Sequence, residues 1–253
     1  MTKLIKNKEE IRRIRRSAKV LAGVLRRLSE EAKIGIPLLS LDKLAEELIV
    51  KKGAKPAFLG YEPAGAQFPF PYTLCTSLNE VVVHGRPSSI LIKDGDILKL
   101  DLGVNLDGGI SDAAITLAFG KVPGEVQQLI KVTKEALIAG VAEAKVGNRL
   151  GDIGYAIESV IKKNNLSIIE DLTGHGVGLE LHEEPPVYNT GRRGEGLLLE
   201  EGMVLALEPM TALGSGKIAQ LADDSFATAD RSLTAHFEHT VLVTKRGGEI
   251  LTI

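Results

Sequence analysis

Two aspartates lie in a segment that otherwise has the composition of a β-hairpin. Asp101 belongs to the apolar run LKLDLGV (98–104), and the pair Asp107-Gly108 is typical of a two-residue type I′ turn. That turn places position 112 opposite position 103, so Asp101 and Asp112 are diagonal neighbours on one sheet face, roughly 7–8 Å apart at Cα. Unpaired carboxylates on an apolar face cost desolvation energy. They therefore need a cation between them, a basic partner or exposure to water.

Two glutamates have similar surroundings. Glu208 ends the apolar strand predicted for MVLAL (203–207), and Glu238 lies in AHFEHTV (235–241), on the same face as His236. A single buried glutamate is usually paired with a base. Because the strands that contain these four acids have few basic residues, a shared cation is the favoured interpretation.

The histidines divide by their surroundings. His175 lies in GHGVG (174–178), where glycines let the backbone approach closely, and we expect it to be a ligand. His239 is expected to be structural. His84 and His182 could donate hydrogen bonds to a developing oxyanion.

An oxygen-rich set with one nitrogen suits hard and borderline divalent ions such as Mn²⁺, Fe²⁺ and Co²⁺. Two such ions about 3.5–4 Å apart share a bridging water and lower its pKa towards neutrality. The sequence thus predicts binuclear metal-assisted hydrolysis. The predicted donors are Asp101, Asp112, His175, Glu208 and Glu238.

Residues 56–72 have a distinct composition. Four prolines disfavour regular structure there, and five of the ten aromatic residues of the chain lie in this segment. A loop held by its aromatic side chains and the wall of an apolar pocket both fit. In a chain with so few aromatic residues the pocket is favoured. The aromatic residues are Phe58, Tyr61, Phe68, Phe70 and Tyr72.

Periodicity places the candidate residues on a framework of helices and hairpins. Amphipathic helices are predicted over 8–33, with Asn7 as the N-cap, over 40–52, over 124–144 and over 149–164. A final hairpin is predicted from 236–244 and 249–253, with its turn at Gly247-Gly248.

A weak internal repeat relates two parts of the chain. The run ILIKDGDILKLD (90–101) aligns with LLLEEGMVLALE (197–208), and each follows a His-x-x-Pro that begins at His84 or His182. Each part thus offers a histidine, a turn, a strand and a carboxylate at the strand end. We infer two related α/β halves across a pseudo-twofold axis, with both acids at the join.

Composition narrows the classes of protein. Hydrophobic residues are 44% and charged residues 25% of 253, as in ordinary globular proteins. The chain shows no secretory signal and no apolar run of membrane-spanning length. The single cysteine, Cys75, excludes an intrachain disulfide, and a reducing cytoplasm is expected.

The net charge of −2 hides a basic N-terminal segment. Residues 1–33 hold 11 Lys and Arg against 4 Asp and Glu, and the remainder holds 20 against 29. Such a segment could contact nucleic acid or the ribosome. A solvated helix face whose long side chains cover apolar surface is the favoured alternative.

Taken together, these motifs resemble a known family, the type I methionine aminopeptidases. The resemblance extends from about residue 5 to the C-terminus, and it rests on the five candidate donors in their order and on SLNEVVVHG (77–85), TGHGVGLELHEEP (173–185), ALEPM (206–210) and DRSLTAHFEHT (230–240). It implies a pita-bread fold of the α/β (α+β) class, with a central antiparallel-rich sheet covered by helices. A single catalytic domain would span 1–253, with a helical segment 1–53 packed on related halves at about 54–145 and 146–253.

The resemblance also implies residue roles around two divalent ions, Co²⁺, Mn²⁺ or Fe²⁺, with Zn²⁺ as a further option. Asp101 would chelate one ion, Asp112 and Glu238 would bridge both, and His175 and Glu208 would complete the other. Glu208 would also be the general base for a metal-bridging hydroxide. His84 would stabilise the tetrahedral intermediate, and His182 would hydrogen-bond the scissile amide. The methionine pocket would be lined by Tyr61, Phe70, Cys75 and Phe58.

The implied reaction removes the initiator methionine from nascent chains whose second residue is small. The expected partners are nascent polypeptide N-termini and, from the basic segment, the ribosome. No membrane or DNA partner is expected, and the expected state is a monomer. Leu181 stands where phenylalanine is common, Phe226 lies in a stretch (223–230) that lacks the usual tryptophan, and 62–68 resembles a longer pocket loop. These departures affect the side-chain preference rather than the metal site.

Two alternatives stay open at the sequence level. One is a proline-directed peptidase of the same fold, but those enzymes usually carry an extra N-terminal domain, and here 83 residues precede His84. The other is a non-catalytic binding protein of the same fold. Such relatives typically lose metal ligands, whereas all five positions are filled in this chain.

Overall fold

The computed structural model describes residues 3–62 and 68–253. The helices are α1 (Lys8–Glu31), α2 (Leu38–Lys51), α3 (Gly124–Glu143) and α4 (Leu150–Lys163). The strands are β1 (Lys55–Pro56), β2 (Leu74–Leu78), β3 (Val81–Val83), β4 (Ile97–Leu106), β5 (Gly109–Ala118), β6 (Ser167–Ile168), β7 (Gly174–Gly176), β8 (Glu183–Val187), β9 (Val204–Leu207), β10 (Met210–Ala212), β11 (Ile218–Gln220), β12 (Phe226–Thr228), β13 (Thr234–His236), β14 (His239–Thr244) and β15 (Gly247–Ile250).

The strands pair antiparallel in four sheets. One has the order β1–β4–β2 with β5 on the free edge of β4, and a five-stranded sheet has the order β15–β14–β9–β7–β8. The other two sheets have three strands each, in the orders β13–β10–β6 and β11–β12–β3. The predicted class, helices with antiparallel sheets, is confirmed. The predicted central sheet is divided into these four.

Two helix layers bury the cores. α1 begins with a capping box, in which the Asn7 side chain accepts from the Glu10 N–H and the Glu10 side chain accepts from the Asn7 N–H. The buried face of α1 packs on β4 and β5, and α2 packs beside it in the same core. α3 and α4 pack on each other and cover the apolar side of β9 and β14. Within residues 3–62 and 68–253 no helix is long and apolar enough to span a bilayer.

The predicted β4–β5 hairpin is confirmed. Its turn residues Asp107 and Gly108 both have positive φ, at 55° and 75°, and Gly103 lies opposite Asp112. The four predicted helices are also confirmed, although α2 begins at Leu38, directly after Pro37, rather than at position 40.

Two details of the strand prediction are wrong. The final hairpin turns at Lys245-Arg246, since Gly247 pairs with Thr244 inside β15. Gly248 serves close packing instead, because a Cβ there would lie 2.6 Å from the Val141 carbonyl oxygen. Asp101 also lies inside β4 rather than at a strand end.

The predicted strand 236–244 is interrupted, and the interruption joins the two large sheets. The chain leaves β13 after His236 and enters β14 at His239. Between them, Glu238 exchanges backbone hydrogen bonds with Ala114 of β5, at 3.0 and 3.4 Å. Two residues after Glu238, Thr240 Oγ1 accepts a hydrogen bond from the Asp112 N–H at 2.8 Å. The backbones that carry Asp112 and Glu238 are therefore fixed against each other.

The two repeat segments share one local conformation. Gly95 and Gly202 both have positive φ, at 89° and 94°, and each lies two residues before the strand that leads to an acid of the site. The single catalytic domain with related halves at about 54–145 and 146–253 stays a prediction.

Candidate metal centre and its cavity

A cavity of about 640 Å³ opens between the two large sheets. Its lining contains all eleven side chains that the sequence singled out as catalytic, metal-binding or substrate-binding. These are Phe58, Tyr61, Phe70, Cys75, His84, Asp101, Asp112, His175, His182, Glu208 and Glu238.

Four carboxylates reach this cavity from different strands. Asp101 and Asp112 come from the β4–β5 hairpin, Glu208 follows β9 directly, and Glu238 lies between β13 and β14. Asp101, Asp112 and Glu238 are at most 8% exposed. The β4–β5 hairpin packs against α1 and α2, whereas β9 and β14 pack against α3 and α4. The packing of both helix pairs therefore determines how closely the four acids approach one another.

Unpartnered atoms concentrate at this point. Among the described residues, ten buried side-chain nitrogen and oxygen atoms lack a hydrogen-bond partner. Three of them lie on acids of the cavity, Asp101 Oδ1, Asp112 Oδ1 and Glu238 Oε1, and two more are the ring nitrogens of His236, which neighbours Glu208 and Glu238. Leaving a buried polar atom unpaired costs about 1–3 kcal/mol. A cation coordinated by these carboxylate oxygens would remove the cost for the acids, so the residues fit a metal site.

The electrostatics of the cluster favour the binding of a cation. Burial raises the pKa of Asp101 and of Glu208 to about 7. Burial, and then the neighbouring carboxylates, raise the pKa of Asp112 and Glu238 well above the ordinary range. Divalent ions would reverse these shifts, because they stabilise the ionised carboxylates.

Two imidazoles flank Glu208. Its Oε1 lies 3.5 Å from His175 Nε2, and its Oε2 lies 3.5 Å from His236 Nε2. The Gly176 carbonyl, 2.8 Å from His175 Nδ1, fixes the tautomer that leaves Nε2 free for a ligand. Potential ligand atoms fall into two groups, each within 4.8 Å: Asp112, His175 and Glu238, and Glu208, His236 and Glu238.

His84 reaches the cavity through a tight backbone turn. It follows β3 with a positive φ of 59°, an uncommon conformation for a residue other than glycine. The next residue must be glycine, because a Cβ on Gly85 would lie 2.6 Å from the Thr76 carbonyl oxygen. The His84 ring meets the Phe226 ring edge-on at 5.8 Å, and desolvation lowers the pKa of its imidazole to about 4.

His182 lies across the cavity, in contact with the metal-ligand candidates. Its Nδ1 is 2.7 Å from the Tyr61 hydroxyl, and its ring lies 4.4 Å from the His175 ring. Desolvation, with a contribution from His175, lowers the pKa of His182 to about 3. The imidazole is therefore neutral at pH 7.

Aromatic side chains form an apolar wall beside the acids. Phe58 packs on Gly103, where an added Cβ would lie 2.7 Å from the ring, and it meets Phe70 edge-on at 6.5 Å. Cys75 and Leu181 belong to the same buried cluster. The predicted pocket wall is thus adjacent to the carboxylates. Of the predicted pocket loop 62–68, residues 63–67 lie outside the described residues.

One residue of the centre was missed at the sequence level. The sequence shows His236 on the face of Glu238, but the candidate donors did not include it. The spacing His-x-Glu was the available signal, since residues i and i+2 of a strand share a face. The structure places a ring nitrogen of His236 within 4.8 Å of carboxylate oxygens of Glu208 and Glu238, even though the strand is interrupted between His236 and His239.

Comparisons with known proteins agree with this geometry. The sequence profile of metallopeptidase family M24 matches residues 12–245. A methionine aminopeptidase from Clostridium perfringens is 43% identical over 251 residues, which cover 99% of this chain and 98% of that protein. The crystal structure of methionine aminopeptidase from Rickettsia prowazekii superposes with a TM-score of 0.94 at 38% identity, covering both chains completely. The prolidase from Pyrococcus furiosus gives a TM-score of 0.79 at 25% identity, with 99% of this chain but 65% of that chain covered.

Proposed function

The chain belongs to metallopeptidase family M24 and is a metal-dependent aminopeptidase that releases N-terminal methionine, and from this premise we propose how its residues perform the reaction. The resemblance to type I methionine aminopeptidases and the pita-bread fold are confirmed. The observation that supports the proposal most strongly is the set of unpartnered carboxylate oxygens on Asp101, Asp112 and Glu238 in one cavity.

Five residues would hold two divalent ions: Asp101, Asp112, His175, Glu208 and Glu238. When bound, the ions would supply Lewis-acid chemistry for activating water and polarising the scissile carbonyl. The donor set of mainly carboxylate oxygens favours Mn²⁺, Fe²⁺ or Co²⁺, with Zn²⁺ as a further option.

Glu208 is the general base. Its carboxylate is about 12% exposed at the cavity, between two imidazoles. In that position it can accept a proton from a water molecule in the cavity. The same oxygen can return the proton to the leaving amine.

The two neutral histidines at the mouth of the cavity contact the peptide. His84, held against Phe226, donates to the oxygen that becomes negatively charged in the tetrahedral intermediate. His182, oriented by the Tyr61 hydroxyl, hydrogen-bonds the scissile amide. Both side chains are exposed at the cavity, so both can reach a bound peptide.

The apolar wall accepts the methionine side chain. Phe58, Tyr61, Phe70 and Cys75 line it, and Leu181 adds to it. An unbranched thioether fits such an irregular apolar surface well. The proposed substrates are nascent chains whose N-terminal methionine precedes a small residue.

Substrate profiling tests this function and its closest alternative. Metal-free protein would be reloaded with Mn²⁺, Fe²⁺, Co²⁺ or Zn²⁺ in turn, and hydrolysis of Met-Gly-Met-Met compared with that of Xaa-Pro peptides. We expect release of methionine and little cleavage of Xaa-Pro. A clear preference for Xaa-Pro would favour a proline-directed peptidase instead. Loss of bound metal and of most activity in Asp112→Ala and Glu238→Ala would exclude a non-catalytic binding protein.

A ribosomal partner is a further proposal, based on the basic helix α1. Several of its arginines are used inside the chain, since Arg15 pairs with Glu249 and Arg16 pairs with Asp107. Lys19 and Arg26 are exposed on the same helix. Reversing the charge of Lys19 and Arg26 should weaken co-sedimentation with ribosomes without unfolding the enzyme, and unchanged co-sedimentation would contradict the proposal. We also propose that the protein is located in the cytoplasm and that it is a monomer.

A further inference from the structure

His236 of β13 is a buried imidazole that the proposed mechanism does not use. The residue is 1% exposed, and neither ring nitrogen has a hydrogen-bond partner among the described residues. Buried polar groups in native proteins are almost always paired, so a doubly unpaired imidazole needs an explanation.

The distances around His236 match those of a metal ligand. Its Nε2 lies 3.5 Å from Glu208 Oε2, which is too long for a useful hydrogen bond. Two donor atoms that each lie about 2.1 Å from one cation are separated by about 3.0–3.5 Å. The same distance of 3.5 Å separates Glu208 Oε1 from His175 Nε2, whose role as a ligand is part of the proposed function.

A second grouping supports the same conclusion. The ligand atoms of Glu208, His236 and Glu238 lie within 4.8 Å of one another, as do those of Asp112, His175 and Glu238. The two groups share only Glu238. Each group therefore combines one imidazole with two carboxylates.

We propose that a divalent ion bound between Glu208 and Glu238 takes His236 Nε2 as a ligand, so that the metal centre of this chain has two imidazole ligands instead of one. This inference rests on the proposed metal-dependent function. It also has a consequence for metal preference, because imidazole suits Fe, Co and Zn better than Mn, which favours oxygen ligands.

Proton NMR of the cobalt-loaded full-length protein counts the imidazole ligands directly. A histidine bound to Co²⁺ gives a far-shifted N–H signal that disappears in D₂O. We expect such signals from two imidazoles in the wild-type protein, from one in His236→Gln and from one in His175→Gln. His239→Gln is the matched control, since His239 Nδ1 is bonded to Thr252 Oγ1 at 2.9 Å, and both signals should remain in it.

Calorimetric titration gives an independent readout. Co²⁺ affinity should fall by about 10–100-fold in His236→Gln, and Mn²⁺ affinity should fall less. Unchanged affinity for both ions, or a wild-type spectrum with a single shifted imidazole, would overturn the inference. The wild-type spectrum decides even if His236→Gln does not fold. A wild-type protein that binds no Co²⁺ or Mn²⁺ at all would overturn the proposed function itself, which is a different result.

Discussion

Lys6 and Glu183 form an ion pair that is closed to solvent, with each side chain about 1% exposed. The other carboxylate oxygen of Glu183 accepts from the backbone N–H groups of Leu179 and Glu180, at 2.7 and 2.9 Å. Glu183 directly follows His182. The N-terminal segment thus fixes the loop that presents His182 to the substrate.

The first prediction concerns this ion pair. Lys6→Met leaves Glu183 buried and unpaired, and breaking such a pair costs about 3–5 kcal/mol of stability. Because the loop of His182 loosens, KM for a methionyl peptide should rise more than kcat falls. Urea unfolding and steady-state kinetics measure the two effects.

Lys3→Met is the matched control for that variant. Lys3 pairs with Glu10 at 2.8 Å, but its side chain is about half exposed, and exposed pairs contribute about 0–1 kcal/mol. If both lysine variants have the same stability and the same KM, the buried pair has no positioning role.

The second prediction concerns Glu208 as the general base. Glu208→Gln keeps the size of the side chain but removes its basic oxygen, so kcat should fall by roughly 10²–10⁴-fold. Glu200→Gln, at an exposed position nearby, should behave as the wild type. Metal content is measured alongside, and a Glu208→Gln enzyme with normal kcat would exclude this residue as the base.

The third prediction concerns pH and the metal-free protein. Burial raises the native pKa of Asp101 from 3.8 to about 7, so the folded state holds a proton that the unfolded state releases above about pH 4. The unfolding free energy contributed by this group therefore falls as pH rises from about 4 to about 7, by up to about 1.4 kcal/mol per pH unit.

Asp101→Asn isolates this effect, because asparagine resembles the protonated acid at every pH. In the metal-free protein the variant should be more stable than the wild type, and its advantage should grow across that range. In metal-loaded protein the order should reverse, since the variant loses a ligand. A stability difference that does not change with pH would contradict the shifted pKa.

The sequence predicts much of this site because the relevant rules are local. Turn chemistry at Asp107-Gly108 determines the register that places Asp101 and Asp112 on one face. The capping box at Asn7 likewise marks the start of α1. Neither conclusion needs knowledge of the rest of the chain.

The remainder depends on contacts between distant segments. The break in the strand after His236 arises because Glu238 bonds to Ala114, 124 residues earlier, and no pattern within 236–244 reveals that. Gly248 looks like a turn residue in sequence, but the carbonyl of Val141 in α3 requires it. Contacts between distant segments therefore determine the strand break after His236 and the requirement for glycine at position 248.

The fourth prediction concerns the pocket wall. Leu181 is 4% exposed and packs with Phe58 and Cys75, so Leu181→Ala should destabilise the protein by about 2–5 kcal/mol and enlarge the pocket. KM for methionyl peptides should rise about tenfold, and cleavage after bulkier N-terminal residues should increase relative to methionine. Leu197→Ala, at a position 39% exposed, is the control. Unchanged selectivity in Leu181→Ala would remove Leu181 from the specificity pocket.

The last prediction concerns the thiol of Cys75. Cys75 is 4% exposed and lies opposite Asp101 in the β2–β4 pair, and burial followed by the neighbouring carboxylates raises its pKa well above 9. The thiolate is the reactive form, so the native metal-free protein should react with iodoacetamide orders of magnitude more slowly than an accessible thiol does.

Raising the pH from 7 to 9 should accelerate this reaction little, whereas denaturant should accelerate it strongly. Ser89→Cys in a Cys75→Ser background provides the reference thiol, because position 89 is exposed. If Cys75 reacts at the rate of that reference, its side chain is open to solvent and cannot form part of an apolar wall for methionine. Slow labelling agrees with a buried, protonated thiol that belongs to the apolar wall.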